Sequence, residues 1–256
     1  MIRGVTFDFW DTIVADDSDE PKRAEAGLLS KKLARVQTFV DEVRAHHPSR
    51  PVGEVEDAVA QANARFRHHW KVEHHTPRVA DWLRVGFEVL GIDPTPGFDT
   101  LVHAWETMEV EIPPNLVPGI GDCLAELHKT MRIGIISDAI VTPGTGLRQI
   151  LGDYGLLEHF DHFVFSDEAG AAKPAAKVFD LACEGLGVRP AELLHIGDRE
   201  ANDIAGPVAY GAHCVLYTGA IDRRAPGEVT RADAVVAHMS EMPGAIARIS
   251  AGLGSA

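Results

Sequence analysis

The chain has 256 residues and a formal net charge of -14, with 45% hydrophobic and 24% charged residues, enough for one large core or for a core plus a smaller domain. That acidic balance argues against nucleic-acid or anionic-membrane partners, whose affinity rests on basic clusters, but not against a phosphate substrate, which needs only a local positive site. No apolar run approaches a membrane span, and the start enters an apolar strand without a basic leader and cleavage site, so a cytoplasmic protein is expected.

In chain order, Ile2 to Phe7 is a short β-branched strand. From about Asp16 to Pro114 the pattern turns helical. Leu33, Val36, Phe39, Val40 and Val43 keep three-and-four spacing, Trp82, Val85, Phe87, Val89 and Leu90 do so more loosely, and breaks fall at His46-His47-Pro48, Thr76-Pro77 and Asp93-Pro94. A bundle of about four helices is predicted. After Pro113-Pro114 strands and helices alternate: helix 119–129, strand 132–137, a helix near 146–151, strand 162–165, helix 174–185, strand 193–197, helix 201–210, and strands 213–217 and 232–237. Alternation at this interval predicts right-handed crossovers and a doubly wound parallel α/β sheet, with strands such as Ile133-Gly134-Ile135-Ile136 covered on both faces. The expected domains are an α/β core over residues 1–15 and 115–249, a helical domain over 16–114, and a disordered Gly/Ala/Ser tail over 250–256. Cys123, Cys183 and Cys214 are odd in number, far apart and in apolar contexts, so they read as buried thiols rather than disulfides or zinc ligands.

In such sheets ligands bind beyond the carboxyl ends of the strands. Asp8, Ser137 and Asp198 stand at or just after predicted strand ends, and Lys173 comes there by a loop, so polar residues far apart in sequence converge on one crevice. The helical segment leaves the sheet directly after Asp8 and is expected to cap that crevice.

Four motifs carry a family likeness: Asp8-Phe9-Trp10-Asp11-Thr12, Ile135-Ile136-Ser137-Asp138, Lys173-Pro174, and Gly197-Asp198 followed by Asp203. In this order, with a helical insertion after the first, the chain resembles the haloacid dehalogenase superfamily, whose members are mostly Mg²⁺-dependent phosphatases with a Rossmann-like core. The resemblance implies Asp8 as a nucleophile forming an aspartyl-phosphate. It also implies Thr12 and Ser137 as hydrogen-bond partners of Asp8 and the phosphoryl oxygens, and Lys173 as the cation between them. Asp8, Asp198 and Asp203 would repel one another unless a cation lay among them, and Mg²⁺ suits oxygen donors. Asp8, the backbone carbonyl of Trp10 and Asp198 are the expected ligands, and Asp203 is an orienting residue or a further ligand.

Trp10 departs from the pattern. The family's phosphatases normally carry a second Asp there as general acid and base, and an indole N–H cannot exchange its proton near neutral pH. The 2-haloacid dehalogenases have an aromatic at this position and no metal; the phosphonate hydrolases use Mg²⁺ and a cap lysine, for which Lys22, Lys31, Lys32 and Lys71 are available. Asp198 and Asp203 favour a metal, because the dehalogenases carry uncharged residues where Asp198 stands. The leading expectation is therefore hydrolysis of a small phosphorylated metabolite with the acid borrowed or missing. Dehalogenation or phosphonate cleavage, and a weakly active phospho-ligand-binding or regulatory relative, remain as alternatives. Besides Trp10 and Asp138, the candidates for substrate contact and for the borrowed acid lie between Arg65 and Arg78, which also contains Arg67, His68, His69, Trp70, His74 and His75. Its arginines could pair with an anion and a histidine could supply a proton, although the same run suits a solvated helix end. Zinc at these histidines would lack a cysteine or carboxylate partner set.

Overall fold

The computed structural model describes residues 1–253. They divide into two compact units: Met1–Asp16, Asn115–Asp138 and the chain from Leu151 onward form one, and Asp17–Pro114 with Ala139–Ile150 form the other.

The first unit is built on a parallel sheet of β1 (Gly4–Phe7), β2 (Arg132–Ser137), β3 (His162–Phe165), β4 (Leu193–Gly197), β5 (His213–Tyr217) and β6 (Ala234–Val236), in the order β3-β2-β1-β4-β5-β6. β1 pairs with β2 through Phe7 and Ile135 and with β4 through Phe7 and Ile196. Sheet growth thus reverses direction at β1, the switch point where α/β sheets open a ligand crevice. Val5, Phe7, Ile133, Ile135, Leu194, Ile196 and Val215 are all fully buried, as both-face coverage requires. The coverage comes from α7 (Ile120–Leu127), α10 (Ala176–Leu186), α11 (Ala205–Tyr210) and α12 (Met242–Leu253), and the single turn α9 (Ser166–Ala169) follows β3 directly. The three cysteines are free and buried, and burial pushes Cys123 and Cys214 up to about 12.

Two expectations change in this unit. The stretch 201–210 is not one helix: a π-helical turn over Glu200–Ile204 precedes α11. Pro207 lacks the N–H that a continuous α-helix would send back to Asp203. The expected disordered tail begins inside α12, which runs to Leu253 because Met242, Ala245 and Ile246 are buried and Ser250 Oγ accepts from Ile2 N–H at 3.0 Å. The remainder of that stretch, 254–256, lies outside the described residues.

The second unit contains α1 (Glu20–Glu25), α2 (Lys31–His46), α3 (Val52–Val72), α4 (Val79–Leu90), α5 (Phe98–Glu106) and α6 (Met108–Glu111). Between residues 16 and 114 there are six helices among the described residues rather than about four, because α1 and α6 are too short for a periodic signal, and most of α8 (Gly144–Asp153) belongs to this unit as well. The breaks fall where expected: α2 ends at His46, α3 and α4 flank Thr76-Pro77, and α4 stops at Gly91 in a left-handed conformation. Phe39, Val43, Val55, Leu83, Phe87 and Trp105 form its core. Residues 139–150, expected in the α/β core, group here because Val141 packs on that cluster and Thr142 Oγ1 donates to Glu109.

Candidate active site

Asp8 follows the last residue of β1, and its N–H donates to Ile196 O at 2.8 Å, which pins it between β2 and β4. The apolar run behind it is held in the core, so its carboxylate is turned out at the carboxyl end of the sheet. Lys173 reaches the same point from the loop before α10. Its ammonium lies 2.8 Å from Asp8 Oδ1 and 2.6 Å from Asp203 Oδ1, and its side chain is 2% exposed. Burial alone would push this lysine down, but the charges of Asp203, Asp8 and Asp138 outweigh it and hold it above the ordinary lysine value. The loop is fixed by Asp138, which accepts from Lys173 N–H at 3.0 Å and from Asn202 Nδ2 at 3.1 Å.

Asp203 is fully buried and well supplied with donors. Oδ1 accepts from Lys173 and from His195 Nε2 at 3.2 Å, and Oδ2 accepts from Arg199 N–H at 2.9 Å. Burial raises its pKa, yet Lys173 and His195 overcome this and hold it well below the usual carboxylate range. His195 itself is lowered, chiefly by burial, so its ring is neutral: Nε2–H donates to Asp203 and Nδ1 accepts from Thr6 Oγ1 at 2.9 Å. A Cβ on Gly197 would collide with the Asp203 carboxylate, so only glycine permits this approach at the end of β4.

Asp198 is in a different state. Its Oδ2 accepts from Arg223 Nε, while Oδ1 is buried without a hydrogen-bond partner, with Arg199 Nε 3.9 Å away. Burial, then the charges of Asp8 and Asp203, push its pKa up to about 6, against the opposing pull of Arg223 and Arg199. Asp8, Asp198 and Asp203 offer carboxylate oxygens within 4.8 Å of one another, and among the described residues they form the group that could hold a metal ion. Three hard anionic donors, one of them with an unpartnered buried oxygen, fit a divalent cation of the Mg²⁺ type.

The sequence-predicted residues divide accordingly. Asp8, Lys173, Asp198 and Asp203 come together. Ser137 Oγ and Thr12 Oγ1 are buried without partners, so the expected hydrogen bond from Thr12 to Asp8 is not made. Asp138, expected to contact substrate, has its carboxylate engaged by the Lys173 loop and Asn202. Asp203 has its oxygens taken up by protein donors, which suits an orienting role. Trp10 stands in the turn after β1, its ring edge-on to Phe9 at 5.1 Å, and bridges to Val14. Neighbouring Asp11 sits at φ 54°, with its carboxylate turned to Arg223 and Asp16 N–H and so not poised as an acid. In the helical unit, His69 Nδ1 and His68 Nε2 share Glu73 at 2.7 and 3.3 Å, and Arg65 pairs with Glu88 at 3.1 Å. His74 adopts φ 50°, and His75 and Arg78 are exposed. These contacts are those of a solvated helix end. Sequence reading missed Arg223, His195 and Asn202. Arg223 had a signal: a basic pair in an acidic chain, in the loop after β5 at the sheet's ligand-binding end.

Residues 2–211 match the family model described as a hydrolase, haloacid dehalogenase-like hydrolase. The chain belongs to the haloacid dehalogenase-like hydrolase family. Within curated proteins it is similar to haloacid dehalogenase-like hydrolase domain-containing protein 3 of Homo sapiens, 34% identical over 105 residues, which is 41% of this chain and 40% of that protein. It is also similar to pyrimidine 5'-nucleotidase YjjG of Escherichia coli, 36% identical over 103 residues, 39% of this chain and 44% of that one. Glyceraldehyde 3-phosphate phosphatase of Pyrococcus furiosus is 34% identical over 102 residues, 40% of this chain and 41% of that one. The chain thus spans about two fifths of the length of the curated relatives it matches. Among solved structures, a haloacid dehalogenase-like phosphatase from Thermococcus onnurineus superposes with a TM-score of 0.63 at 20% identity, covering 96% of this chain and 98% of that one. A 2-haloacid dehalogenase from Pseudomonas syringae gives 0.62 at 21%, covering 97% and 99%. Both share the fold of this family member.

Proposed function

We propose that the protein is a Mg²⁺-dependent phosphatase that hydrolyses a small phosphorylated metabolite through an aspartyl-phosphate on Asp8. The observation that carries this reading is the group of Asp8, Asp198 and Asp203, which offer carboxylate oxygens within 4.8 Å of one another, with Asp198 Oδ1 buried and unpartnered. A haloacid substrate would add another anion beside three carboxylates, whereas a bound cation relieves their repulsion and can hold a phosphate. The phosphatase and nucleotidase names of the relatives agree with this choice; the fold likeness does not discriminate, since it extends to a dehalogenase. A phosphonate hydrolase would need an unprotonated cap lysine to form an imine. Lys31 is buried with its ammonium paired to Asp17, Asp19 and Glu109, and Lys22 donates to Pro113 O at 2.6 Å, which counts against that role for either.

The ion would be held by Asp8, Asp198 and the carbonyl of Trp10, with Asp203 orienting the set through Lys173 and Arg199. When bound, Mg²⁺ supplies charge neutralisation and orientation at the phosphoryl oxygens. Lys173, 2.8 Å from Asp8 Oδ1, offsets charge as the Asp8 carboxylate oxygen attacks phosphorus. The bond from phosphorus to the leaving oxygen breaks, and the electron pair departs with that oxygen. Ser137 Oγ, unpartnered and buried, is available to donate to a phosphoryl oxygen. Water then attacks the aspartyl-phosphate and gives up its proton to the solvent, the bond between phosphorus and Asp8 breaks, and phosphate leaves with the Asp8 carboxylate restored. Trp10 can supply no proton to the leaving oxygen and Asp11 is tied to Arg223, so turnover depends on how good the leaving group is.

The test is release of phosphate and p-nitrophenol from p-nitrophenyl phosphate in Mg²⁺. Asp8→Asn is expected to abolish it. Mg²⁺-dependent hydrolysis that persists in Asp8→Asn would overturn the mechanism, and chloride release from 2-chloropropionate without metal would transfer the protein to the dehalogenases.

A further inference from the structure

Thr6 on β1 and His195 on β4 stand opposite each other in the register of the parallel sheet, so their side chains lie on one face of it. Two residues further along, the same alternation brings Asp8 and Gly197 to that face, and the missing side chain of Gly197 admits the Asp203 carboxylate. A run of polar contacts inside the core is the result. Thr6 Oγ1 meets His195 Nδ1 at 2.9 Å and His195 Nε2 meets Asp203 Oδ1 at 3.2 Å. The Lys173 ammonium then joins Asp203 Oδ1, at 2.6 Å, to Asp8 Oδ1, at 2.8 Å. The run begins and ends on one chain segment, two residues apart. Phe179 closes its flank, with its ring edge-on to the His195 imidazole and the centroids 5.9 Å apart.

Asp8 and Lys173 act on the phosphoryl group and Asp203 orients them, but that chemistry gives no part to Thr6 or His195. Both are fully buried, between neighbours such as Val5, Phe7, Leu194 and Ile196 that are apolar. Polar side chains at such positions cost free energy unless every one of them is paired, and here the pairing has one solution. The Asp203 carboxylate can only accept, so His195 must present Nε2–H to it. The buried, neutral ring then carries a lone pair on Nδ1, and the Thr6 O–H fills it. The other tautomer would set the Nε2 lone pair against the Asp203 oxygen. Asp203 cannot turn away, because its Oδ2 accepts from Arg199 N–H at 2.9 Å. One hydroxyl on β1 therefore fixes the tautomer, and the tautomer supplies Asp203 Oδ1 with a donor other than Lys173.

We propose that His195 and Thr6 are positioning residues for the reaction at Asp8: they hold Asp203 Oδ1 so that it shares the Lys173 ammonium with Asp8 instead of keeping it. The inference rests on the phosphatase reading and extends it. Without the imidazole hydrogen, Lys173 is the one donor left to Asp203 Oδ1 among the described residues, and the ammonium is drawn towards Asp203. The Asp8 oxygen that attacks phosphorus then loses the cation that offsets its charge and fixes its direction. Displacement of a reacting group by about 1 Å can cost about 10²-fold in rate. Asp203 also borders the cation site with Asp8 and Asp198, so metal affinity reports the same positioning without turnover.

Four variants of the full chain test this. His195→Leu removes both hydrogen bonds of the ring, whereas His195→Gln keeps a donor for Asp203 and an acceptor for Thr6. Thr6→Val removes only the donor to Nδ1, and Thr6→Ser keeps it. In p-nitrophenyl phosphate hydrolysis at saturating Mg²⁺, His195→Leu is expected to lower kcat about 10–100-fold with KM little changed, the pattern of an interaction made in the transition state. Thr6→Val should lower kcat in the same direction by less, and both conservative variants should recover most of the loss. Calorimetric Mg²⁺ affinity should fall about tenfold or more in His195→Leu and be retained in His195→Gln. Long-range ¹H–¹⁵N spectra, with the His195 signals identified by their disappearance in His195→Gln, should show the Nε2–H tautomer in wild-type protein. Far-ultraviolet circular dichroism and the urea midpoint report folding, and should His195→Leu not fold, the Thr6 pair carries the test. Wild-type kcat in the folded Leu and Val variants, equal losses in Leu and Gln, or an Nδ1–H tautomer would each overturn the proposal. Wild-type protein inactive on every phosphate ester would refute the phosphatase reading instead, with the tautomer and the Mg²⁺ affinities still deciding whether Thr6 and His195 position Asp203.

Discussion

Replacing Asp198 with Asn tests whether the carboxylate cluster holds uncompensated charge. Asp198 is pushed from an ordinary value near 3.8 up to about 6, mainly by burial and by Asp8 and Asp203. The folded chain therefore binds this proton more tightly than the unfolded chain does. The group's contribution to stability is fully present below about 3.8 and is lost as pH rises through about 6. Roughly two pH units between the two states correspond to about 3 kcal/mol in total, of which about 2 kcal/mol falls between pH 4.5 and 7.5. The amide introduced by Asp198→Asn would not titrate, so the lost partnership with Arg223 adds only an offset that does not vary with pH. Urea unfolding of both proteins in chelator, at several pH values across that window, yields the difference directly. Wild-type stability minus that of Asp198→Asn should fall by about 2 kcal/mol from pH 4.5 to 7.5, and Mg²⁺ should restore much of the loss in wild type alone. A difference that stays flat would refute the reasoning. One that rises with pH would mean that Arg223 outweighs the neighbouring carboxylates and that Asp198 is already satisfied without a metal.

Lys173→Met removes the cation shared by Asp8 and Asp203 and should cost about 3–5 kcal/mol at neutral pH, the range for breaking a buried ion pair; a loss below about 1 kcal/mol in urea unfolding would mean the pairs contribute little. Trp10→Asp restores a proton donor beside Asp8, and should raise turnover on alkyl phosphates by up to about 10²-fold while changing aryl phosphates much less, because their leaving groups need no acid. Equal gains on both substrate classes, measured as kcat, would contradict the missing-acid account. Gly197→Ala forces the Asp203 carboxylate away from β4; Mg²⁺ affinity measured calorimetrically should drop at least about tenfold in a chain that still folds, the penalty typical of losing an orienting partner behind a metal ligand.

The amino-acid sequence by itself determined the sheet and the charged cluster at its carboxyl end. Strands such as Arg132–Ser137, His162–Phe165, Leu193–Gly197 and His213–Tyr217 were legible to the residue, because short β-branched runs between turn residues have few other uses in a chain that alternates with helices. Asp8, Lys173, Asp198 and Asp203 were legible as well, since polar residues at strand ends stand out against the apolar runs that carry them. Only the tertiary structure decided what those carboxylates do. That Asp203 is saturated by Lys173, His195 and Arg199 while Asp198 keeps an unpartnered oxygen depends on which side chains meet across β1, β4 and the loops, and no local pattern encodes it. Arg223 reaches Asp11 over 212 positions of sequence. The histidine run between Arg65 and Arg78, conspicuous in composition, pairs locally with Glu73, whereas three buried polar atoms left without a partner, Arg35 Nε, Asn63 Oδ1 and Trp82 Nε1, stand on three separate helices. Local periodicity specifies backbone and burial. Hydrogen-bond satisfaction is a property of three-dimensional neighbours, so which buried polar atoms are paired and which are left over is decided only once the chain has folded.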